Sequence, residues 1–295
     1  MPSSAPGLAM RGLTKTYAHG VRALQGINLD VPPGLYGLLG PNGAGKSTLM
    51  RTLATLQAPD AGSVHLDSVD VLADPDHLRL RLGYLPQQIG AYPGVSGRAL
   101  LDRFAWLKGR TRSGERRAEV QRLLEQVNLA DAADRPVATY SGGMLRRFGI
   151  ALALVGSPRL LIVDEPTAGL DPAERNRFHR VLADVGAESV VLLSTHIVED
   201  VENLCGRLAI LAGGRIVAEG TPAALTAEYR GRLWARVVPR GEPLPESLHA
   251  SATPDGTRVV VMADAAPAAG YTPHEARLED VYHLALGRLG LEEVA

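Results

Sequence analysis

The chain has 295 residues, of which 45% are hydrophobic and 21% charged, and its formal net charge at pH 7 is −1. This size is sufficient for one large hydrophobic core, or for a core with a smaller appended domain. The near-zero charge argues against a surface that would hold a nucleic acid by its phosphates, so no nucleic-acid partner is expected. No apolar run approaches the roughly 20 residues that cross a bilayer, and the N-terminus lacks the features of a signal peptide. We therefore expect a soluble, intracellular protein.

The N-terminal part is predicted to alternate short strands with turns. Gly, Pro and Asp residues separate predicted strands at 8–13, 27–31, 35–39 and 63–66. The strand at 35–39 is followed by a glycine-rich loop and by a helix predicted from Lys46 to about Leu56. The chain thus runs strand, loop, helix across this region.

The region from about residue 92 to 155 is predicted to be mainly helical, because Val120, Leu123, Leu124 and Val127 recur at helical spacing among polar side chains. Uniformly apolar strands follow at 160–163 and 190–193, with a helix at about 172–185 between them. Such strands are typical of a sheet that is covered on both faces. A hairpin is predicted over 210–217, turning at its paired glycines.

The pattern weakens after residue 222. Two β-like runs, at 234–238 and 259–262, are joined by a segment rich in Pro and Gly, and a helix is predicted at about 274–286. We interpret residues 223–295 as a small appended α/β domain and residues 1–222 as the main domain. The single cysteine, Cys205, is expected to be a small buried apolar residue rather than a reactive thiol.

A phosphate-binding loop is indicated by a segment that fits the pattern G-x-x-x-x-G-K-[ST]. It consists of Gly40, Pro41, Asn42, Gly43, Ala44, Gly45, Lys46, Ser47 and Thr48. Glycines let successive backbone N–H groups turn towards phosphate oxygens, and the N-terminus of the following helix adds its dipole. We expect Lys46 to contact the β- and γ-phosphates and the Ser47 hydroxyl to bind Mg²⁺.

Two acidic residues, Asp164 and Glu165, follow the apolar strand predicted at 160–163. Acidic groups at the carboxyl end of a buried parallel strand lie at the crevice where α/β sheets bind ligands. Asp164 is expected to hold Mg²⁺, directly or through water, and Glu165 to polarise a water molecule for attack on the γ-phosphate. Either acid alone would more simply be a solvated turn residue, but the phosphate loop in the same chain favours the functional interpretation.

Three further segments narrow the class of nucleotide-binding protein: Pro86-Gln87, Tyr140-Ser141-Gly142-Gly143-Met144 and Ser194-Thr195-His196. With them, residues 8–222 closely resemble the ATP-binding subunit of an ATP-binding cassette (ABC) transporter, since five motifs occur in the order and approximate spacing of that family. The sequence departs from the usual family pattern at Tyr140 and Met144, where Leu and Gln are most frequent, and at Ala168, where Ser is usual.

The resemblance extends to a bacterial subfamily that powers drug, lipid and polysaccharide exporters. The Ser-Gly-Gly segment flanked by Tyr and Met and followed by Arg146 and Arg147 is similar to that subfamily, as is the C-terminal segment 278–282. The resemblance implies an α/β fold with a P-loop NTPase core, an N-terminal antiparallel β subdomain and an inserted helical subdomain at about residues 92–155. The small C-terminal α/β extension would follow this core.

The resemblance also implies roles for single residues around ATP. Tyr17 would stack on the adenine ring, and Gln87 would contact Mg²⁺ and the attacking water and sense the membrane partner. Glu165 would be the catalytic base, and His196 would clamp the γ-phosphate. Simpler interpretations remain for three of these assignments: Tyr17 could cap a surface turn, His196 could be a satisfied strand-end histidine, and Gln88 competes with Gln87.

The same resemblance implies that two subunits share each ATP. Ser141, Gly142 and Gly143 would contact the γ-phosphate bound by the opposite subunit, and the loop at 168–171, with Asp171, would cross between the two sites. A serine hydroxyl and glycine N–H groups at a helix start form an anion site that is incomplete by itself. We therefore expect head-to-tail dimerisation on ATP binding. The partner is either a second copy of this chain or a different cassette, and the presence of both half-sites in this chain favours the homodimer.

The function implied is an ATPase that drives transport, with export favoured, through a separate transmembrane permease. The subunit would be cytoplasmic and held at the inner face of the cell membrane by the permease, whose short helix would dock near residues 87–97, with Tyr92, Pro93 and Val95 forming part of an apolar floor. The alternative is a non-transport ABC ATPase acting in DNA repair, translation or cluster assembly. A binding module without turnover is disfavoured because both Glu165 and His196 are present.

Overall fold

The computed structural model describes residues 7–90, 92–166 and 172–290. Its strands are β1 (Leu8–Thr16), β2 (Arg22–Val31), β3 (Gly34–Leu39), β4 (Ala61–Leu66), β5 (Val69–Asp70), β6 (Leu82–Leu85), β7 (Leu160–Asp164), β8 (Val190–Thr195), β9 (Arg207–Ala212), β10 (Arg215–Gly220), β11 (Leu233–Pro239), β12 (His249–Thr253), β13 (Gly256–Met262) and β14 (Thr272–Pro273). Its α-helices are α1 (Lys46–Leu53), α2 (Pro75–Arg81), α3 (Gly97–Leu107), α4 (Ser113–Gln126), α5 (Gly142–Leu154), α6 (Pro172–Gly186), α7 (Val198–Leu204), α8 (Pro222–Ala227) and α9 (Leu278–Gly287).

These strands form three sheets. The central six-stranded sheet has the order β10-β9-β3-β8-β7-β6 and is parallel except for β10, which is antiparallel to β9. An N-terminal antiparallel sheet has the order β2-β1-β4-β5, and a C-terminal antiparallel sheet has the order β12-β13-β11-β14. The predicted α/β fold class is confirmed, including the antiparallel N-terminal sheet.

The central sheet separates two hydrophobic clusters because successive side chains of a strand point to opposite faces. On β7, Leu160 and Ile162 join the cluster that faces the N-terminal sheet, whereas Leu161 and Val163 join the cluster on the other face. The strand is therefore apolar at every position, as expected of a strand that is buried on both sides.

The second cluster extends into both the helical region and the C-terminal part of the chain. It includes Leu123 of α4 and Phe148 of α5, and also Leu233 of β11 and Val281 of α9. The helical region described here consists of α3, α4 and α5 with two short 3₁₀ turns, at Ala130–Ala132 and Val137–Thr139. The domain division at residue 222 stays a prediction.

Several elements differ from the sequence expectations. The helix expected at 274–286 begins at Leu278, because the amide of Arg277 donates to the Asp280 carboxylate and His274 remains extended, donating its amide to the Leu233 carbonyl. No sequence pattern predicted α2, β6 or α7. Cys205 is buried, as expected, and burial raises the pKa of its thiol to about 12. Within the described ranges, no helix is both long and apolar enough to cross a membrane.

Candidate functional site

Four neighbouring parallel strands bring the predicted motifs to one edge of the central sheet. The phosphate loop follows β3, His196 follows β8, the acidic pair lies at the end of β7, and Gln87 follows β6. Since β3, β8, β7 and β6 are adjacent and parallel, their carboxyl ends lie together, which is where open α/β sheets bind ligands. The order of the strands, rather than the order of the chain, thus assembles the site.

The phosphate loop has a backbone that requires glycine at particular positions. Gly43 and Gly45 have φ angles of +78° and +108°, in the region that side chains with a Cβ rarely adopt. A Cβ at Gly45 would lie 2.3 Å from the carbonyl oxygen of Ala23, and a Cβ at Gly40 would lie 2.2 Å from that of Leu211. The glycines therefore allow both the turn and the close approach of neighbouring backbone.

Lys46 is buried in the loop, with 6% of its surface exposed. Its Nζ donates to the carbonyl oxygen of Gly40 and, at 3.1 Å, to that of Pro41. The ammonium group is thus held over the loop by the backbone of the loop itself, and Ser47, the next residue, is exposed to solvent. A charged donor and an exposed hydroxyl at a helix N-terminus are suited to phosphate oxygens.

Tyr17 lies against the start of the helix that follows the phosphate loop. Its hydroxyl is 3.2 Å from Oγ1 of Thr48 and donates to Oε1 of Gln57, also at 3.2 Å. Gln57 in turn donates to the Thr48 carbonyl at 2.9 Å. The structure therefore brings Tyr17 to the predicted loop and leaves the side chain 39% exposed. Gln57 was not predicted, because an isolated glutamine carries no pattern.

Glu165 is held by two of the predicted catalytic residues. Gln87 Nε2 donates to Oε2 of Glu165 at 2.9 Å, and Nδ1 of His196 lies 3.1 Å from Oε1. The backbone of Glu165 has a φ of +46°, uncommon for a residue with a side chain, and its amide donates to the carbonyl of Ser194. A carboxylate with both oxygens contacted and a constrained backbone is well oriented for proton transfer.

Asp164 is almost buried, with 7% of its surface exposed. Burial raises the pKa of its carboxyl and the nearby charge of Glu165 raises it further, whereas the cations Lys46 and Arg146 oppose this shift. A buried carboxylate is costly unless a cation or hydrogen bonds compensate it, so this position favours a bound cation. In the described ranges no three His, Cys, Asp or Glu side chains could hold a metal ion by themselves.

The Ser-Gly-Gly segment begins helix α5. Ser141 is the N-cap residue, and its Oγ accepts a hydrogen bond of 3.2 Å from the amide of Met144. A Cβ on Gly142 would meet no atom within 4 Å, whereas one on Gly143 would lie 3.0 Å from Oε1 of Glu174. This helix packs on α3, α4 and β6. It is a different helix from α1, which follows the phosphate loop. The prediction for Asp171, like the loop at 168–171, lies outside the described residues.

Arg146 of α5 reaches the acidic pair, although no motif predicted this contact. The sequence indicates Arg146 only as part of a subfamily pattern. Its side chain is 8% exposed and donates to the backbone carbonyls of Asp164, Glu165 and Pro166. The sequence offers no signal for this role, because arginine is the common cation of this chain.

Comparisons with known proteins show the family of this chain. The family model described as ABC transporter matches residues 24–168. The daunorubicin/doxorubicin resistance ATP-binding protein DrrA of Streptomyces peucetius is 43% identical over 231 residues, covering 77% of this chain and 68% of that protein. The chain belongs to the ABC transporter family. It is an ATP-binding subunit that hydrolyses ATP.

Two further matches support the assignment of this ABC subunit. The doxorubicin resistance ATP-binding protein DrrA of Mycobacterium tuberculosis is 37% identical over 271 residues, covering 87% of the chain and 81% of that protein. A dimeric structure of a bacterial ABC transporter cassette, MJ0796, superposes with a TM-score of 0.67 at 25% identity, covering 72% of the chain and 98% of that structure. The non-transport alternative finds no support among these relatives.

Proposed function

We propose that this ABC subunit drives the export of drug-like small molecules through a separate transmembrane permease and works as an ATP-dependent head-to-tail homodimer. The ATP hydrolysis in this proposal is supported by one observation: Gln87 and His196 both contact the carboxylate of Glu165 beside the phosphate loop. Export of drugs is supported by the similarity to two proteins named for daunorubicin or doxorubicin resistance. The permease would hold the subunit at the inner face of the cell membrane.

In the proposed reaction, Glu165 accepts a proton from a water molecule whose oxygen attacks the γ-phosphorus. The bond between the γ-phosphorus and the β,γ-bridging oxygen breaks, and ADP and inorganic phosphate leave. Gln87 and His196 contribute by fixing the direction of the carboxylate, and Lys46 neutralises charge on the phosphates. The Glu165 side chain is partly buried, with 14% of its surface exposed, which limits competition from bulk water.

The residues present also fit a magnesium ion. Ser47, Gln87 and Asp164 offer a hydroxyl, an amide oxygen and a buried carboxylate, which are the hard oxygen ligands that Mg²⁺ prefers, and phosphate oxygens usually complete such sites. When bound, the ion would neutralise charge on the phosphates of ATP.

The proposed dimer is supported by the position of the Ser-Gly-Gly segment at the start of α5. Ser141 and the following glycines provide donors at a helix N-terminus, which favours an anion, but the phosphate loop of the same chain begins a different helix. A second subunit facing the first would bring its own ATP to this helix. The similarity to the dimeric cassette structure supports this arrangement.

The permease is proposed to dock near the segment that follows Gln87. Val95 is 37% exposed, whereas Tyr92 packs partly against the second hydrophobic cluster. Because this segment connects Gln87 to α3, a helix of the permease seated on it would touch the catalytic edge and the helical region together. In the assembled transporter, Tyr92→Asp should reduce transport while sparing basal ATPase activity, and normal transport by this variant would contradict the docking site.

The decisive experiment is Glu165→Gln, studied by size-exclusion chromatography with light scattering and by phosphate release. Removing the base should lower turnover by about 10²- to 10⁴-fold while ATP binding is retained. The variant should be a monomer without nucleotide and a dimer with ATP. Glu188 is exposed and precedes β8, at the opposite end of this strand from His196, so Glu188→Gln is the charge-matched control and should behave as wild type. A variant that binds ATP but stays monomeric would contradict the homodimer, and unchanged turnover would contradict the role of Glu165.

A further inference from the structure

Arg146 joins two segments of the catalytic edge through backbone carbonyls alone. Its Nη1 donates to the carbonyl oxygens of Pro86 and Gln87, at 3.0 Å and 3.1 Å. The other nitrogens bind the segment at the end of β7. They donate to the carbonyl oxygens of Asp164 at 3.3 Å, Glu165 at 2.5 Å and Pro166 at 2.9 Å.

These contacts use the whole hydrogen-bonding capacity of the side chain. A guanidinium group has five N–H donors in a planar fork, one on Nε and two on each Nη. Nε donates once, and each Nη donates twice, so that each donor has a carbonyl partner. Within the described ranges Arg146 forms no ion pair within 4.0 Å. The side chain is therefore arranged to hold backbone rather than to neutralise one acid.

The cation is nevertheless stabilised at this buried position by nearby charge. Burial lowers the pKa of Arg146, and the negative charges of Asp164 and Glu165 oppose this effect. An arginine remains protonated under these conditions, because its reference pKa is far above neutrality. The guanidinium can thus serve as a permanent link between the two segments.

The two segments carry the residues that contact each other at the reaction centre. Gln87 donates to Glu165, and Glu165 holds a left-handed φ of +46° that needs support from its surroundings. Arg146 binds the carbonyl of Glu165 itself and that of Gln87, so it fixes both ends of this contact through the main chain. We propose that Arg146 is a positioning residue for ATP hydrolysis, which sets the Gln87–Glu165 geometry from helix α5. This inference rests on the proposed role of Glu165.

Because Arg146 lies on α5, its contacts with the catalytic edge depend on the position of this helix. Ser141 caps the same helix five residues earlier. One rigid helix therefore carries both the segment proposed to meet the ATP of the facing subunit and the side chain that holds the catalytic edge. A movement of α5 on dimer closure would carry Arg146 with it. The orientation of Glu165 would then depend on the position that α5 takes when the dimer closes.

Arg146→Lys is the sharpest test, because lysine keeps the charge but replaces the five donors of the planar guanidinium by three donors on one nitrogen, too few for the five carbonyls. Arg147→Lys is the matched control: the neighbouring arginine of α5 donates to the carbonyls of Val127 and Asn128 and pairs with Glu174, outside the catalytic edge. We expect Arg146→Lys to lower kcat by about 10²-fold, as for a misplaced catalytic group, with the Kd for ATP and the KM within about threefold of wild type. Arg147→Lys should keep the wild-type kcat.

Arg146→Ala with added guanidinium separates positioning from folding. Millimolar guanidinium chloride should restore part of the lost kcat of Arg146→Ala, whereas equal concentrations of sodium chloride should not. If Arg146→Ala does not fold, the kcat of Arg146→Lys alone tests the proposal. A wild-type kcat in Arg146→Lys would overturn the proposal, as would a loss of ATP binding in parallel with a fall in Tm. Failure of the proposed function would appear differently, as wild-type turnover that Glu165→Gln does not abolish.

Discussion

The Nε2 of Gln87 donates to Oε2 of Glu165 across a separation of 78 residues in the sequence. The contact exists because β6 and β7 are adjacent parallel strands, with Leu85 paired to Val163 in the register. The residues that follow these strands therefore emerge side by side. This pairing makes Gln87 the direct neighbour of the proposed base.

Gln87→Ala should lower kcat by at least about threefold to tenfold, because one hydrogen bond that orients Glu165 is worth roughly 0.5–1.5 kcal/mol. The loss of the amide oxygen proposed to bind Mg²⁺ would add to this effect. Steady-state phosphate release measures the effect. Gln88→Ala is the control, since Gln88 is exposed and is the other glutamine that the motif allows. A fall in kcat with Gln88→Ala but not with Gln87→Ala would reverse the assignment.

Tyr17→Ala should weaken ATP binding about 5- to 150-fold, because stacking of a base on an aromatic ring contributes roughly 1–3 kcal/mol. Tyr17→Phe keeps the ring and loses only the contacts of the hydroxyl with Thr48 and Gln57, so its Kd should stay within about threefold of wild type. Titration with a fluorescent ATP analogue measures both variants. The turn at Tyr17 is closed by backbone bonds to Gly20 and Val21, which neither substitution removes. An unchanged Kd in Tyr17→Ala would therefore favour a surface role for the ring.

Gly45→Ala should abolish measurable ATP binding and destabilise the fold by about 1–3 kcal/mol. The new Cβ would sit at a φ of +108° and 2.3 Å from the Ala23 carbonyl oxygen, so the loop must move. Thermal unfolding with and without ATP tests both effects. Gly114→Ala in α4, where a Cβ meets no atom within 4 Å, should bind ATP normally and be as stable as wild type or slightly more so. Binding of ATP by Gly45→Ala would show that the loop tolerates a shifted backbone.

A buried carboxylate organises the C-terminal sheet and helix. Asp280 is 1% exposed, with Oδ1 2.8 Å from Nε2 of His249 and Oδ2 2.9 Å from Nε2 of His274. The amide of Arg277 donates to Oδ2 at 2.7 Å. Burial alone would raise the pKa of Asp280, but the hydrogen bonds from His249 and Arg277 and the charges of the two histidines outweigh it, so the pKa lies below its usual value.

Asp280→Asn should therefore destabilise the protein by about 1–3 kcal/mol at neutral pH. The native state keeps this carboxylate ionised to a lower pH than the unfolded chain does, so its contribution is complete above the unfolded pKa of about 3.9 and is lost as the pH falls through the native value. Urea unfolding at pH 5 and pH 3 should show a smaller difference between the variant and wild type at pH 3 than at pH 5. Asp255→Asn, at an exposed turn, is the control. A difference that does not change with pH would mean that the carboxylate charge contributes nothing.

The sequence by itself determined the chemistry of the site, because each motif joins a residue type to a local structure. The glycines and Lys46 predict a phosphate loop wherever a strand precedes them and a helix follows, and the apolar run before Asp164 predicts a strand covered on both faces. These are local relations, and the structure has the predicted strands and helix at those places.

Only the tertiary structure decided which groups touch. The short strand β6 carries no clear alternation, yet its pairing with β7 puts Gln87 on Glu165. Arg146 is one arginine among many in the sequence, and its five carbonyl partners come from two segments that the pairing of β6 with β7 places side by side, next to helix α5. The same holds for Asp280 and its histidines, 31 and 6 residues away. Contacts of this kind depend on strand order and side-chain burial, which no local pattern specifies.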